Sequence, residues 1–399
     1  MSDYLTGHRV QLLQGASEFF EALIQEMDAA LHEVRLETYI FNVQGSGEQV
    51  AQALMRAAGR GVAVFLATDG VGTPRLPEPW PQQLAAAGVQ WLVYSPLGRL
   101  GLLVPSRWRR LHRKLCVVDG HVAFCGGINV LDDWWDPHHG ALDGPRFDFA
   151  VRVTGPLVQA AHTAMAQFWW RLRAVRSAQQ VDWTGAWEAL QQAVREKRQA
   201  DHVEERHGGA RAELVLRDNV RYRTRIERAY RQALGEARHS IILAHAYFLP
   251  SRKIRKSLIH AAQRGVRVRL LLQGRYEYFM QYHAAHALYD SLLAAGVEIY
   301  EYQSSFLHAK VAVVDDHWAT VGSSNIDPLS LLLAREANVV VSDQKFAKDL
   351  RLQLEQAMAK HALRLDLQRH VRRPVGQKLR DHAALLLMRT LLFIYGKRY

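Results

Sequence analysis

The chain has 399 residues, 49% of them hydrophobic and 23% charged, a composition that excludes a disordered chain, a small stapled module and a multi-span membrane protein. That length exceeds what one core usually holds and predicts two domains of roughly 150 to 200 residues each. Lys and Arg outnumber Asp and Glu by 51 to 39, a net charge of +12, which points to a polyanionic partner: nucleic acid, an anionic bilayer or a phosphorylated substrate.

From the amino terminus, the stretch Met1 to Arg9 lacks a basic segment followed by an apolar run, so no export signal is expected and a cytoplasmic address follows by default. Phe20, Leu23, Ile24, Met27 and Leu31 share one helical face and lead into Arg35–Phe41, whose β-branched and aromatic content reads as a strand. A second helix and the strand Arg60–Ala67 follow, then a helix ending Ala85-Ala-Ala-Gly88 before the strand Val89–Leu92. The second half repeats this order. Ile226, Tyr230 and Leu234 lead into the strand Ser240–Phe248, Arg264–Leu271 answers the strand Arg60–Ala67, and Leu293-Ala-Ala-Gly296 again closes a helix before a strand. Alternating strands and helices predict an α/β sheet in each half, and the duplication predicts an internal pseudo-twofold with the site in the cleft between halves.

The expected boundaries are residues 1–175 and 220–360 for the two domains, a partly helical linker at 176–219, and a basic, apolar tail at 361–399. Only two cysteines occur, Cys116 and Cys125; they are not spaced as a zinc site and are expected to be buried and reduced.

The repeat culminates in Leu111-His-Arg-Lys-Leu-Cys-Val-Val-Asp119 and Leu307-His-Ala-Lys-Val-Ala-Val-Val-Asp315, each His-x-Lys-x4-Asp. Both continue after six residues with small residues and asparagine, Gly126-Gly-Ile-Asn129 and Gly322-Ser-Ser-Asn325. One such match is a weak signal; two in register with the same tail are a strong one. The six motif residues His112, Lys114, Asp119, His308, Lys310 and Asp315 form the candidate catalytic set. Strand parity places each histidine and lysine on one face and gives Asp119 and Asp315 the opposite parity, which suits anchoring of the strand ends.

Bringing the halves together gathers two histidines, two lysines and two asparagines without a carboxylate cluster to hold a metal, a composition suited to a phosphodiester. One imidazole attacks phosphorus while the other, on the far side, protonates the leaving alkoxide, and the roles reverse in a second step. The lysine ammoniums, the Asn129 and Asn325 amides and the Ser323 hydroxyl are expected to bind the non-bridging oxygens, with no metal or other cofactor called for. Each imidazole also needs an acceptor on its second nitrogen to fix its tautomer, and Asp148 and Glu336 stand at comparable places downstream of the two motifs.

The paired motif resembles that of the phospholipase D superfamily over nearly the whole chain. Glu37–Phe41, Ala246–Pro250 and Thr320–Ser330 are similar to segments of bacterial cardiolipin synthases. The resemblance implies two phospholipase D-like α/β/α sandwich domains related by a pseudo-twofold, with the active site at their interface. It also implies transfer of a phosphatidyl group, in which phosphatidylglycerol attacks a covalent phosphatidyl-histidine to give cardiolipin and glycerol, with His112 as nucleophile and His308 as acid and base. Gly127 departs from the serine common at that place in the family, and the membrane spans of the longer relatives are not found in this chain. A phosphodiesterase acting on nucleic acid and an inactive basic scaffold are the competing readings; the apolar tail disfavours the first and the intact motifs the second.

Peripheral association with an anionic lipid surface on the cytoplasmic face of the membrane is therefore expected, with no nucleic-acid partner. The tail carries nine Lys or Arg against Asp366 and Asp381, and Ala383–Tyr395 is apolar except for Arg389 and too short to span a bilayer, so an interfacial amphipathic helix is expected, with packing on the second domain as the alternative. The insertion Leu97–Arg113, with Arg99, Arg107, Arg109, Arg110, Arg113 and Trp108, is read either as a cleft gate or headgroup contact or as an ordinary solvated loop. The pairs Trp134-Trp135 and Trp169-Trp170 suit either a bilayer interface or a core, and the core is the favoured reading.

Overall fold

A computed structural model of the chain describes residues 5–96, 101, 108–136, 139–199, 208–218, 222–276, 278–327 and 334–394. The first half runs β1 (Leu5–Gln14), α1 (Gly15–Ala29), β2 (Glu33–Thr38), α2 (Ser46–Gly59), β3 (Ala63–Asp69), α3 (Trp80–Ala86), β4 (Gln90–Tyr94), β5 (Arg110–Leu111), β6 (Lys114–Val118), β7 (Val122–Gly126), β8 (Trp135–Asp136), β9 (Gly140–Ala141), β10 (Phe149–Thr154) and α4 (Leu157–Gln179). After α5 (Trp183–Gln199) the second half runs β11 (Ala210–Arg217), α6 (Arg225–Glu236), β12 (Ser240–His245), α7 (Arg252–Gln263), β13 (Arg267–Gln273), α8 (Phe279–Leu293), β14 (Glu298–Tyr302), β15 (Lys310–Val314), β16 (Trp318–Gly322) and β17 (Ala334–Ser342). It closes with α9 (Gln344–His361), β18 (Ala362–Arg364), α10 (Leu367–Val371) and α11 (Val375–Ile394).

The two halves have the same strand order. In the first, β1-β10-β7-β6-β2-β3-β4 places the parallel strands β2, β3 and β4 at the outer side and an antiparallel set at the inner side; β11-β17-β16-β15-β12-β13-β14 repeats it. Antiparallel pairing of β1 with β11, with Leu5 opposite Ala212, joins the two sheets edge to edge. Sealing both inner edges in this way removes two rows of unpaired backbone groups. The halves thus share one continuous sheet, more intimately than two separate sandwiches would.

Each motif strand is buried along its whole length, β6 from Lys114 to Val118 and β15 from Lys310 to Val314, which explains their unbroken apolar runs. One core takes residues from both halves, among them Val151, Val153, Val339 and Val341, and packs them against Leu157 and Met165 of α4 and Leu350 and Leu354 of α9. Separate outer cores lie under α1 and α2 (Leu23, Met27, Leu54) and under α6 and α7 (Tyr230, Leu234, Leu258). Each such fully buried side chain contributes about 1.5–3 kcal/mol. Gly88 and Gly296, which end their helices, have φ of +92° and +87°, a conformation that glycine adopts without a Cβ penalty.

Several peripheral elements differ from expectation. Trp134 and Trp135 are 58% and 38% exposed, because β8 and β9 form a two-stranded hairpin outside the main sheet; Trp169 lies in a core beside Phe65. The tail forms α10 and α11, and α11 packs on α8 through Ala384 and Leu385 beside Leu288 and Leu249. Asp381 fastens this contact by accepting from His283 at 2.7 Å and Arg373 at 2.8 Å. The opposite face of α11 leaves Leu379, Leu386 and Leu387 exposed, so the helix packs on one side and presents leucines on the other. Cys116 and Cys125 are buried and free. In the insertion, Arg99 and Arg107 lie outside the described residues, whereas Arg110 pairs with Asp69 and Arg113 with Glu37.

Candidate active site

The strands β6 and β15 end their motifs at equivalent turns. Asp119 and Asp315 each have φ of +49°, and each carboxylate accepts three backbone N–H groups: those of Leu31, His32 and Glu33 in one half and of Arg238, His239 and Ser240 in the other. These bonds hold both carboxyls below the usual carboxylate range despite partial burial. The two aspartates bind the strand ends and do not line the cavity on which both histidines open.

At the other end of each strand the halves exchange contacts. The His112 N–H donates to the Arg335 carbonyl at 3.0 Å, and the His308 N–H donates to the Phe147 carbonyl at 2.9 Å. A short parallel pairing of β5 with β17 and a bridge between Phe147 and Leu307 extend these clamps. The residue after each accepting carbonyl is an acid. Glu336 therefore reaches His112 Nδ1 at 2.9 Å, and Asp148 reaches His308 Nδ1 at 2.6 Å. The carboxylate that each histidine meets comes from the opposite half.

A carboxylate only accepts, so both Nδ1 atoms carry the proton and both Nε2 lone pairs are free to face the cavity. That cavity measures about 970 Å³ and is lined by both histidines and by Asn129 and Asn325. The histidine side chains are 18% and 22% exposed, enough for a ligand to reach them. Asn129 Oδ1 accepts the Ile40 N–H at 3.1 Å and Asn325 Oδ1 accepts the Tyr247 N–H at 3.3 Å, which fixes each amide and leaves its NH₂ group as the donor.

The remaining expected residues stand behind this surface. Lys114 Nζ donates to its own motif's His112 carbonyl at 2.8 Å, and Lys310 Nζ does the same to the His308 carbonyl. Both lysines are buried and neither lines the cavity, so their charge acts from beneath the imidazoles. Ser323, expected to touch phosphate, is fully buried; its hydroxyl donates to Glu336 and accepts the Ala337 N–H at 3.0 Å. Its counterpart Gly127 is equally explicable. A Cβ there would lie 2.3 Å from Asp148 Oδ1, so the shorter acid can approach His308 only where the serine is missing.

Burial dominates the proton affinities. It lowers Lys114 to about 7, opposed by Glu336, and raises Asp148 to about 6, opposed by Lys310. It also holds His308 well below its usual value, reinforced by the Lys310 and Lys114 charges.

Sequence reasoning gave no site role to several residues in or behind the cavity. The Tyr39 ring lies 5.0 Å from the His112 ring, with its hydroxyl pushed up to about 12 by burial and by Asp69. Asp69 also accepts the Leu111 N–H at 2.7 Å and pairs with Arg110 at 3.1 Å, steering the chain into the first motif. Asp133, between this cavity and a neighbouring groove, accepts the Ala16 N–H and is raised by burial to about 7. Only Tyr39 sat in a recognisable repeat, and its counterpart by strand register is Ala246, so the repeat gave no signal for it.

A family model described as a cardiolipin synthase, phospholipase D-like domain matches residues 23–140 and 230–358. Cardiolipin synthase B of Escherichia coli (strain K12) is 37% identical over 371 residues, covering 90% of this chain and 83% of that protein. Cardiolipin synthase B of Salmonella typhimurium is 37% identical over 361 residues, covering 88% and 80%, and a cardiolipin synthase of Geobacillus kaustophilus is 30% identical over 380 residues, covering 94% and 71%. Among solved structures, phosphatidylserine synthase of Haemophilus influenzae superposes with a TM-score of 0.67 at 12% identity, covering 98% of this chain and 95% of that one. At that identity the likeness shows a shared fold.

Proposed function

We propose, for a chain that belongs to the cardiolipin synthase family with its phospholipase D-like domain, that this protein is a phosphatidyltransferase that makes cardiolipin. His112 Nε2 attacks the phosphorus of one phosphatidylglycerol, the P–O bond to glycerol breaks, and His308, which takes up a proton on Nε2 once the phosphodiester anion is bound, gives that proton to the departing alkoxide. A hydroxyl of a second phosphatidylglycerol then gives its proton back to His308 and attacks the phosphatidyl-histidine. Cardiolipin forms and His112 is released.

The observation that carries this reading is the crossed pair of carboxylate-held histidines opening on one cavity. Glu336 and Asp148 stabilise the imidazolium that forms on each ring in turn. Burial leaves His308 neutral at rest, and the bound phosphodiester anion supplies the negative charge that raises its proton affinity. The Asn129 and Asn325 amides donate to the non-bridging oxygens, and Lys114 and Lys310 add positive potential from below.

Peripheral membrane association on the cytoplasmic face belongs to the same reading. Among the described residues no helix is long and apolar enough to cross a membrane. Trp135 and Tyr278 line the cavity yet stay exposed, with Trp134 and Phe279 exposed beside them. Such amphipathic rings suit the headgroup region of a bilayer, where they would admit a lipid headgroup while its acyl chains stay in place.

The test is incubation of purified protein with phosphatidylglycerol vesicles and a chelator, with lipid products followed by mass. Cardiolipin formation that survives chelation and is lost in His112→Ala and His308→Ala supports the reading. Products from DNA alone, or no turnover, would overturn it.

A further inference from the structure

A second basic site lies where α11 meets α7 and α8. A cavity of about 350 Å³ there is lined by Arg252, Arg255 and Arg389 over a floor of Leu249, Leu288 and Leu385. None of the three guanidiniums has a hydrogen-bond or ion-pair partner among the described residues. On neighbouring elements Arg267, Arg269 and Arg373 each hold a carboxylate, so the absence of an acid at the triad stands out against its surroundings.

Three like charges facing one cavity repel. The Arg255 guanidinium is held below its usual proton affinity by burial and by Arg389 and Arg252. Arginine forks match the oxygens of a phosphate, and the amino-terminal end of α7 adds its partial positive charge beside Arg252. The site is separate from the catalytic cavity but close in the chain: Tyr247 lines that cavity, and Leu249 donates its N–H to Ile326 at 2.8 Å before the chain turns into α7. On α11 the apolar floor is continued by exposed leucines on the helix's outer face, Leu379, Leu386 and Leu387.

We propose that Arg252, Arg255 and Arg389 bind the phosphate of an anionic phospholipid headgroup, tethering the tail helix and the second half to the same membrane surface. The phosphate specificity stands on the arginines; the lipid as its source rests on the phosphatidyltransferase reading. Arg389, which interrupts the apolar run of the tail, is then the residue that connects the helix to the lipid.

The test compares the full chain with a variant carrying Arg252→Gln, Arg255→Gln and Arg389→Gln, both in a His112→Ala background that keeps lipid composition constant. The triple variant relieves repulsion, and its melting temperature without ligand checks that it folds; Arg389→Gln alone, at an exposed helix position, is the second variant. Binding is read by co-sedimentation with phosphatidylcholine vesicles with and without phosphatidylglycerol, and by the melting shift that inorganic phosphate causes. The proposal expects at least about a tenfold loss of affinity for the phosphatidylglycerol vesicles in the triple variant and a smaller loss in Arg389→Gln. A phosphate-induced melting shift that disappears in the variant, with vesicle binding unchanged, would assign the site to a soluble phosphate and overturn the lipid source. Equal behaviour of the parent and both variants in the two arms would overturn the site itself. Failure of the functional reading would show separately, as absence of cardiolipin from the wild-type protein.

Discussion

Glu336→Gln isolates the contribution of one crossed carboxylate. The substitution keeps the side chain's shape in a position that is fully buried and does not line the cavity, so substrate affinity should change little. It replaces an ion that accepts from both His112 and Ser323 with an amide that has one accepting oxygen and one donating nitrogen. The imidazolium formed on His112 then loses its counter-charge. With 2.9 Å between the bonded atoms, the centres of charge lie about 4 Å apart, and at an effective dielectric of about 20 their attraction is roughly 4 kcal/mol. That energy corresponds to about a thousandfold in kcat. Initial rates of cardiolipin formation from phosphatidylglycerol, at saturating and limiting lipid, measure it. A kcat within tenfold of wild type would refute the assignment of Glu336 as the group that holds and stabilises His112.

Gly127→Ser should cost activity and stability together, because its Cβ would meet Asp148 Oδ1 at 2.3 Å and push the acid off His308; about 1–3 kcal/mol in a thermal melt and at least about a hundredfold in kcat are expected, and a variant with wild-type turnover would contradict the steric argument. Turnover should rise with pH through about 6, where Asp148 becomes ionised, and fall above about 7, where Lys114 loses its proton; the fall should vanish in Lys114→Met, and its persistence there would assign it to another group. Asp133 titrates near 7 in the fold, above its usual 3.8, so the folded state binds its proton more tightly and ionisation opposes folding at high pH. Asp133→Asn should accordingly raise stability by about 2–4 kcal/mol at pH 8, with the gain shrinking as pH falls through 7 and gone near 3.8; equal melting curves at pH 8 would show that the carboxylate is better compensated than its burial implies.

The repeat made the architecture readable. Matching strands and helices occur in the same order in both halves, and the structure gives those halves the same sheet order. Parity also placed His112 with Lys114 and set Asp119 apart, since alternation along a strand is a local property. What could not be read is everything decided by docking. The positions of Asp148 and Glu336 invited a role as orienters, but only the tertiary exchange that pairs β5 with β17 shows that each carboxylate meets the histidine of the other half. The same holds for Ser323, whose sequence place suggests a phosphate donor until Glu336 is seen to take its hydroxyl. Trp134 and Trp135 are apolar in composition, and nothing local distinguishes a core pair from a hairpin held outside the sheet. The tail's apolar run likewise records that a face needs cover without saying whether α8 or a bilayer covers it.

Because each imidazole takes its carboxylate across the pseudo-twofold, neither lobe owns a complete proton-transfer unit. A fragment holding one motif would be chemically mute even if it folded, and two fragments would regain competence only by finding each other in register. Any change in the docking angle would be felt at both rings simultaneously, so the reaction itself reports whether assembly is correct.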